Sequence, residues 1–306
     1  MSYSHSNHQQ GSHSSQGKYH SVRDLTSLGY TLISFTTRSN IAKYKNGATL
    51  LLRDSLTLDP DSPQASSSTS VVASDGDHIC VTDQKGTVRE RVGDLLFEYT
   101  AGTFFQNNNS ALIPLTSYVR DAIFPSPSSA SSSENDSSPS HKPTHLVDAY
   151  CGSGLFALSL AKHFTTVAGI ELSAESIRAA EHNASLNSSL LSSTSISFMS
   201  GDAANIFSTV QAFPCDRTVL IIDPPRKGTD ARFIEQMVAF GAATVVYVSC
   251  NVHTQARDVG MILERSAAHS ATAEGAGKKY VLESLRGLDL FPQTAHVEAI
   301  AVLRLV

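Results

Sequence analysis

Tryptophan is absent, and the four cysteines, Cys80, Cys151, Cys215 and Cys250, stand singly with no paired spacing. Such a set offers neither a disulfide framework nor a Cys-rich zinc or iron–sulfur site, so a working cysteine here works as a thiol. No apolar run approaches the roughly 20 residues that span a bilayer, and the first twenty residues lack the apolar core of an export signal. Excess basic charge is missing too. With 23 Lys and Arg against 28 Asp and Glu the net charge is −5, which supplies no broad cationic footprint for nucleic acid. Charged residues make up only 17% and hydrophobic residues 41%, which excludes a wholly disordered chain. The expectation is a monomeric, soluble protein of the cytoplasm or nucleus, with a mitochondrial location left open and no membrane or metal cluster as partner.

What is present is a length of 306 residues, enough for one α/β domain with a smaller attachment. Residues 1–24 are dominated by Ser, His, Gln and Gly with little to bury, and read as a disordered tail. From 25 to 102, short β-branched or aromatic runs (Tyr30 to Phe35, Thr49 to Leu52, His78 to Thr82, Leu95 to Tyr99) alternate with turn residues and predict a small β-rich unit. The spacing of Leu112, Leu115, Val119 and Ile123 predicts a helix over 109–124, followed by a Pro- and Ser-rich flexible loop at 125–143. Strand-like and helix-like segments then alternate as far as a helix over 254–265. That alternation predicts βαβ units and a doubly wound, mostly parallel sheet of the α/β class. Two final runs, Tyr280 to Leu290 and His296 to Leu305, have only a short link and predict a hairpin with an antiparallel edge strand.

Ligands of such sheets bind beyond the carboxyl ends of the strands, and several of those ends carry polar signatures. The first strand runs into Asp148-Ala149-Tyr150-Cys151-Gly152-Ser153-Gly154, a turn whose glycines let backbone approach a ligand. Glu171 closes the second strand, where a carboxylate can accept bonds from ribose hydroxyls. These two features suit a nicotinamide dinucleotide or S-adenosylmethionine equally, since both carry adenosine. The fourth strand ends Asp223-Pro224-Pro225-Arg226, whose prolines fix an extended turn and remove two donors, a pattern not characteristic of dinucleotide enzymes. Gly201-Asp202 after the third strand offers a carboxylate to an adenine amino group, although Gly-Asp is also an ordinary turn. Ser249-Cys250-Asn251 puts a thiol on the same rim. His296-Val297-Glu298 sets ionisable groups among Val and Ile, and on a strand His296 and Glu298 would share a face. His163, His182 and His253 lack metal-ligand spacing and read as exposed helix positions.

Together with Phe104-Phe105-Gln106-Asn107-Asn108, these motifs resemble the S-adenosylmethionine-dependent RNA (uracil-5-)-methyltransferases, and their tRNA-modifying branch in particular, from about Phe104 to Val306, which implies a methyltransferase domain at 103–306. The resemblance implies a Rossmann-like class I methyltransferase sheet and S-adenosyl-L-methionine as cofactor, held by Gln106, Tyr150, Glu171 and Asp223. It implies Cys250 as the nucleophile that attacks uracil C6 and Glu298 as the base that removes the C5 proton, so that 5-methyluridine forms in an RNA partner, tRNA first and at its T loop. Leu155 stands where relatives often carry Asn, and no RNA-binding barrel is recognised ahead of the β-rich unit. Ribosomal RNA methylation, a noncatalytic tRNA-binding or tRNA-folding role and a NAD-dependent oxidoreductase are the competing readings. Arg226 is a candidate neighbour for activating the thiol, or for pairing with Asp223 or a phosphate.

Overall fold

Strands β6 (His145–Ala149), β9 (Thr218–Ile222) and β10 (Thr244–Ser249) are near-continuous runs of apolar and β-branched residues, the pattern of strands covered on both faces. In the computed structural model, which describes residues 20–21, 53–56, 78–81, 83–125, 142–201, 206–275 and 277–306, they form the centre of a seven-stranded sheet. β7 (Thr166–Glu171) and β8 (Ser195–Ser200) extend it on one side in parallel. On the other side, β11 (Tyr280–Leu288) and β12 (Glu298–Leu305) give the order β11-β12-β10-β9-β6-β7-β8. The antiparallel strand expected at the edge is therefore an interior one: β12 inserts between β10 and β11, and β11 becomes the edge. Burial explains the order, since β12 is almost wholly buried whereas β11 is mostly open.

Alternate residues of each strand feed two separate cores, as the pleat requires. Leu146, Val219, Ile221, Val246, Val248, Ile300 and Val302 face helices α1 (Asn109–Ile123) and α2 (Leu155–Leu160). Val147, Leu220, Ile222, Val245, Tyr247 and Leu303 face the opposite layer. That layer contains the short helix α4 (Ile206–Thr209), α5 (Ala231–Phe240) and α6 (Val252–Ser270). Helix α3 (Ala174–Leu186) packs over β7 and β8 on the first face. Helix α6 runs beyond the predicted span at both ends, and its N-terminus is set by Asn251, whose side chain accepts from the amides of His253 and Thr254.

Ahead of the sheet, β1 (His20–Ser21), β2 (Arg53–Leu56) and β3 (His78–Val81) form an antiparallel set in the order β1-β3-β2. β4 (Thr87–Val92) and β5 (Leu95–Thr100) make a hairpin, and β4 is a strand that sequence reading passed over. Its Thr-Val-Arg-Glu-Arg-Val pattern is polar on one face, which masks the burial of Val88 and Val92 on the other. The runs Tyr30 to Phe35 and Thr49 to Leu52, nearly all of the tail at 1–24 and most of the loop at 125–143 lie outside the described residues.

Phe97 of β5 is wholly buried, with its ring centroid 5.6 Å from that of Phe105, and Tyr99 stacks on Phe105 at 4.5 Å. This cluster pins the hairpin to the main core and fixes where the chain goes next. Phe97→Ala is expected to lower stability by about 3–5 kcal/mol, measured as the shift of a urea transition. A loss below about 1 kcal/mol would show that the hairpin is not docked as described.

Candidate active site

Every polar strand end named from the sequence and described here opens on one cavity of about 1230 Å³, lined by Gln106, Tyr150, Glu171, Asp223, Cys250 and Glu298 among others. Asp202 lies outside the described residues. The turn after β6 depends on left-handed backbone: Tyr150 has φ +63°, Gly152 +53° and Gly154 +93°. A Cβ added at Gly152 would meet nothing within 4 Å, so this glycine leaves an open cradle into the cavity rather than relieving a clash inside the protein. The Gly152 N–H donates to Glu171 Oε2 at 3.3 Å and the Ser173 N–H to Glu171 Oε1 at 3.0 Å, which holds the carboxylate at the lip with further lone pairs to offer. Cys151 is buried beneath the turn, and burial pushes its thiol pKa well up, so it is inert.

Asp148 sits below this turn, fully buried, with Oδ2 accepting from the Ala157 N–H at 2.8 Å. Burial raises its pKa to about 8, the charges of Asp223 and Glu171 adding to the effect, so at neutral pH it is largely the neutral acid. Its other oxygen, Oδ1, has no partner among the described residues. Gln106 is a buried polar residue delivered by β5 through Phe105. Leu155, the first residue of α2, lines the cavity with an apolar side chain. Asp223 follows β9, its N–H on the Ala149 carbonyl at 3.4 Å, and burial lifts its pKa to about 7.

Cys250 and Glu298 meet because of strand register. β10 and β12 pair from Thr244 with Arg304 to Ser249 with Ala299, so one further step brings Cys250 opposite Glu298. Gln255, buried on α6, locks this junction by donating from Nε2 to the Tyr247 carbonyl at 2.8 Å and the Ala299 carbonyl at 2.9 Å, one on each strand. Glu298 is 1% exposed, and neither carboxyl oxygen has a partner among the described residues. Burial, with the charge of Asp223 added, raises its pKa to about 8. Burial also raises the Cys250 thiol, as do the charges of Glu298 and Asp223, while a hydrogen bond and the positive charge from Arg226 pull it back.

His296 does not join this pair. It is exposed in the loop before β12, its N–H donating to Thr294 Oγ1, because the strand starts only at Glu298 and no shared face exists. The other histidines divide: His253 is exposed, His182 bonds Glu98 at 2.8 Å, and His163 is only partly open with a buried Nε2, contrary to the expected exposure.

A supporting hub escaped sequence reading. Asp258, fully buried on α6, accepts from the Thr229 N–H at 2.8 Å and the Tyr247 hydroxyl at 2.6 Å, and pairs with Arg257. Arg257 also donates to the Lys227 carbonyl, while Asn251 Nδ2 and Thr254 Oγ1 donate to the Arg226 carbonyl. The Asp223–Asp230 loop is thus clamped along its length. The one visible signal was an acidic residue at an apolar-face position of a helix. Gly228, at φ +78°, passes so close that a Cβ would lie 2.4 Å from Asp258 Oδ2. Gly228→Ala is expected to cost about 1–3 kcal/mol in a urea transition. An unchanged midpoint would contradict the clamp.

The family profile described as tRNA (Uracil-5-)-methyltransferase matches residues 136–304. The tRNA (uracil(54)-C(5))-methyltransferase of Schizosaccharomyces pombe is 41% identical over 274 residues, 90% of this chain and 45% of the relative. That of Saccharomyces cerevisiae is 39% identical over 280 residues, 85% of this chain and 40% of the relative. The chain therefore spans somewhat under half the length of these curated relatives. Among solved structures, a Pyrococcus abyssi tRNA (uracil-54, C5)-methyltransferase in complex with S-adenosyl-L-homocysteine superposes with a TM-score of 0.54 at 24% identity, covering 77% of this chain and 48% of that one. That likeness supports the class I methyltransferase fold. With the profile covering more than half of its residues, this chain belongs to the tRNA (uracil-5-)-methyltransferase family.

Proposed function

We propose that this chain methylates C5 of a uridine in tRNA, the residue at position 54 named in its curated relatives. The observation that carries the reading is the register that sets a thiol opposite a buried carboxyl at the mouth of a glycine-cradled cavity. S-adenosyl-L-methionine fits that cavity by the donor set along it: the open cradle at Gly152, the Glu171 carboxylate at the lip, and Gln106 and Asp223 on the walls. When bound, the cofactor supplies an electrophilic methyl group.

The remaining chemistry falls to protein side chains. Uracil C5 is a weak nucleophile, so the Cys250 thiolate first forms a bond to C6, which moves the ring electrons toward C5. Once C5 carries the methyl group, the Glu298 carboxylate takes the C5 proton, the C5–C6 double bond returns and the Cys250 sulfur leaves with its electron pair. Arg226 favours the thiolate, whereas ionised Glu298 opposes it. The target base must leave its stack to reach this rim, which a tRNA loop permits at lower cost than a duplex.

Both groups must be ionised in turn, and both have pKa values raised by the site. Turnover is therefore expected to increase with pH through about 8, and the Glu298→Gln substitution, which removes the opposing charge, to shift the iodoacetamide alkylation midpoint of Cys250 to lower pH. A midpoint that stays put or rises would contradict the coupling. The direct test incubates the full chain with unmodified tRNA and unmodified ribosomal RNA together and methyl-labelled S-adenosyl-L-methionine. Label at C5 of uridine 54 is expected; no label with saturating cofactor would reject the activity, and label confined to ribosomal RNA would reject the substrate.

A further inference from the structure

Two walls of the cavity come from distant parts of the chain. One is the segment leaving β5 with Phe105 and Gln106; the other is the turn that contains Ser153. Asn183 lies between them, fully buried on α3. Its Oδ1 accepts from the Glu98 N–H of β5 at 2.7 Å, and its Nδ2 donates to the Ser153 carbonyl at 3.0 Å. One amide thus joins the strand that leads into the first wall to the turn that forms the second.

The geometry extends to Asn187, one helical turn on. Its Oδ1 accepts from the Leu96 N–H at 2.9 Å and its Nδ2 donates to the Leu96 carbonyl at 2.7 Å, as a neighbouring strand would do. β4 covers only one edge of β5, and residues 96 and 98 turn their backbone groups to the other. Four helical residues rise about 6 Å and two strand residues about 6.7 Å, so side chains at i and i+4 can meet alternate residues of β5. Helix α3 supplies the partner that the two-stranded hairpin lacks among the described residues. The difference between the two asparagines matters: both dock β5, but of the two only Asn183 bonds the glycine turn.

We propose that Asn183 is a positioning residue that couples the Gln106 wall to the glycine turn, so that occupancy of the cofactor cavity and docking of the β4–β5 hairpin are set together. This rests on the reading of the cavity as a cofactor site. Linkage makes the coupling reciprocal: a ligand that orders the turn must also tighten β5.

The test titrates S-adenosylhomocysteine into the full chain by calorimetry and follows amide exchange at Leu96 and Glu98 by residue-resolved mass spectrometry, with and without that ligand. In the unsubstituted protein, binding is expected to slow exchange at Glu98. Asn183→Asp keeps the acceptor for the Glu98 N–H but faces the Ser153 carbonyl with a second acceptor. It is expected to weaken the ligand about tenfold and to abolish the ligand-dependent protection of Glu98. Asn187→Ala, which frees Leu96 and leaves the Ser153 bond in place, is expected to stay within about threefold of the unsubstituted affinity. Should the aspartate variant not fold, Asn183→Ser, too short to reach both partners, is held to the same expectation. Equal affinities for the Asn183 variant and the unsubstituted protein, or an equal loss in Asn187→Ala, would overturn the coupling. Failure of the unsubstituted protein to bind S-adenosylhomocysteine would overturn the cavity reading and the coupling with it.

Discussion

The antiparallel pairing of β12 with β10 is the constraint on which the site depends. Were β12 to run parallel, or to lie at the edge beyond β11, its first residue, Glu298, would emerge far from the end of β10. Instead, the pairing of Ser249 with Ala299 carries straight on to Cys250 and Glu298. A slip of one residue would turn every side chain of β12 to the other face, and Ile300 and Val302 on one side, Ala301 and Leu303 on the other, are buried in cores that resist it. The apolar interior therefore fixes where Cys250 and Glu298 stand relative to each other. Gln255 reinforces that junction at the point where regular pairing ends.

The electrostatic cost of the arrangement is visible in the carboxyls. Asp148, Asp223 and Glu298 all have pKa values raised by burial, and the charge of Asp223 acts on both of the others. Ionising all three together is unfavourable, which suits a cavity proposed to admit a sulfonium cation and favours a neutral Glu298 while the thiolate forms. Because these folded-state values lie above those of an unfolded chain, the penalty is absent at low pH, grows as pH rises above the ordinary carboxylate range of about 4 and is fully present only above about 8. Rigidity offsets that cost. The Asp258 hub and the Asn251 cap hold the Asp223–Asp230 loop to α6, and the paired asparagines of α3 hold β5 to the glycine turn.

Most of the parallel core was legible because periodicity and burial agree there: β9 and β10 begin and end at the residues their composition indicates. The strand ends were legible for a different reason, since glycine turns, paired prolines and isolated acids at such points have few uses apart from ligands. Legibility failed where a residue's partner lies far away in sequence. His296 and Glu298 were expected to share a strand face, yet only Glu298 belongs to β12 and is buried. Asn183 and Asn187 resembled ordinary polar helix positions, because nothing local tells that they bond the backbone of a strand some 90 residues earlier. The interior place of β12 was hidden likewise, as a short link announces a hairpin without saying which arm joins the sheet.

The central claim is that strand register makes Cys250 and Glu298 one catalytic unit, the first forming the bond to uracil and the second allowing its release. Denaturing gel analysis and peptide mapping of Glu298→Gln, incubated with unmodified tRNA and S-adenosyl-L-methionine, tests both halves at once. The expected result is a persistent protein–RNA adduct on Cys250 whose uracil already carries the methyl group. An adduct on any other residue, or turnover at the unsubstituted rate with none accumulating, would contradict it.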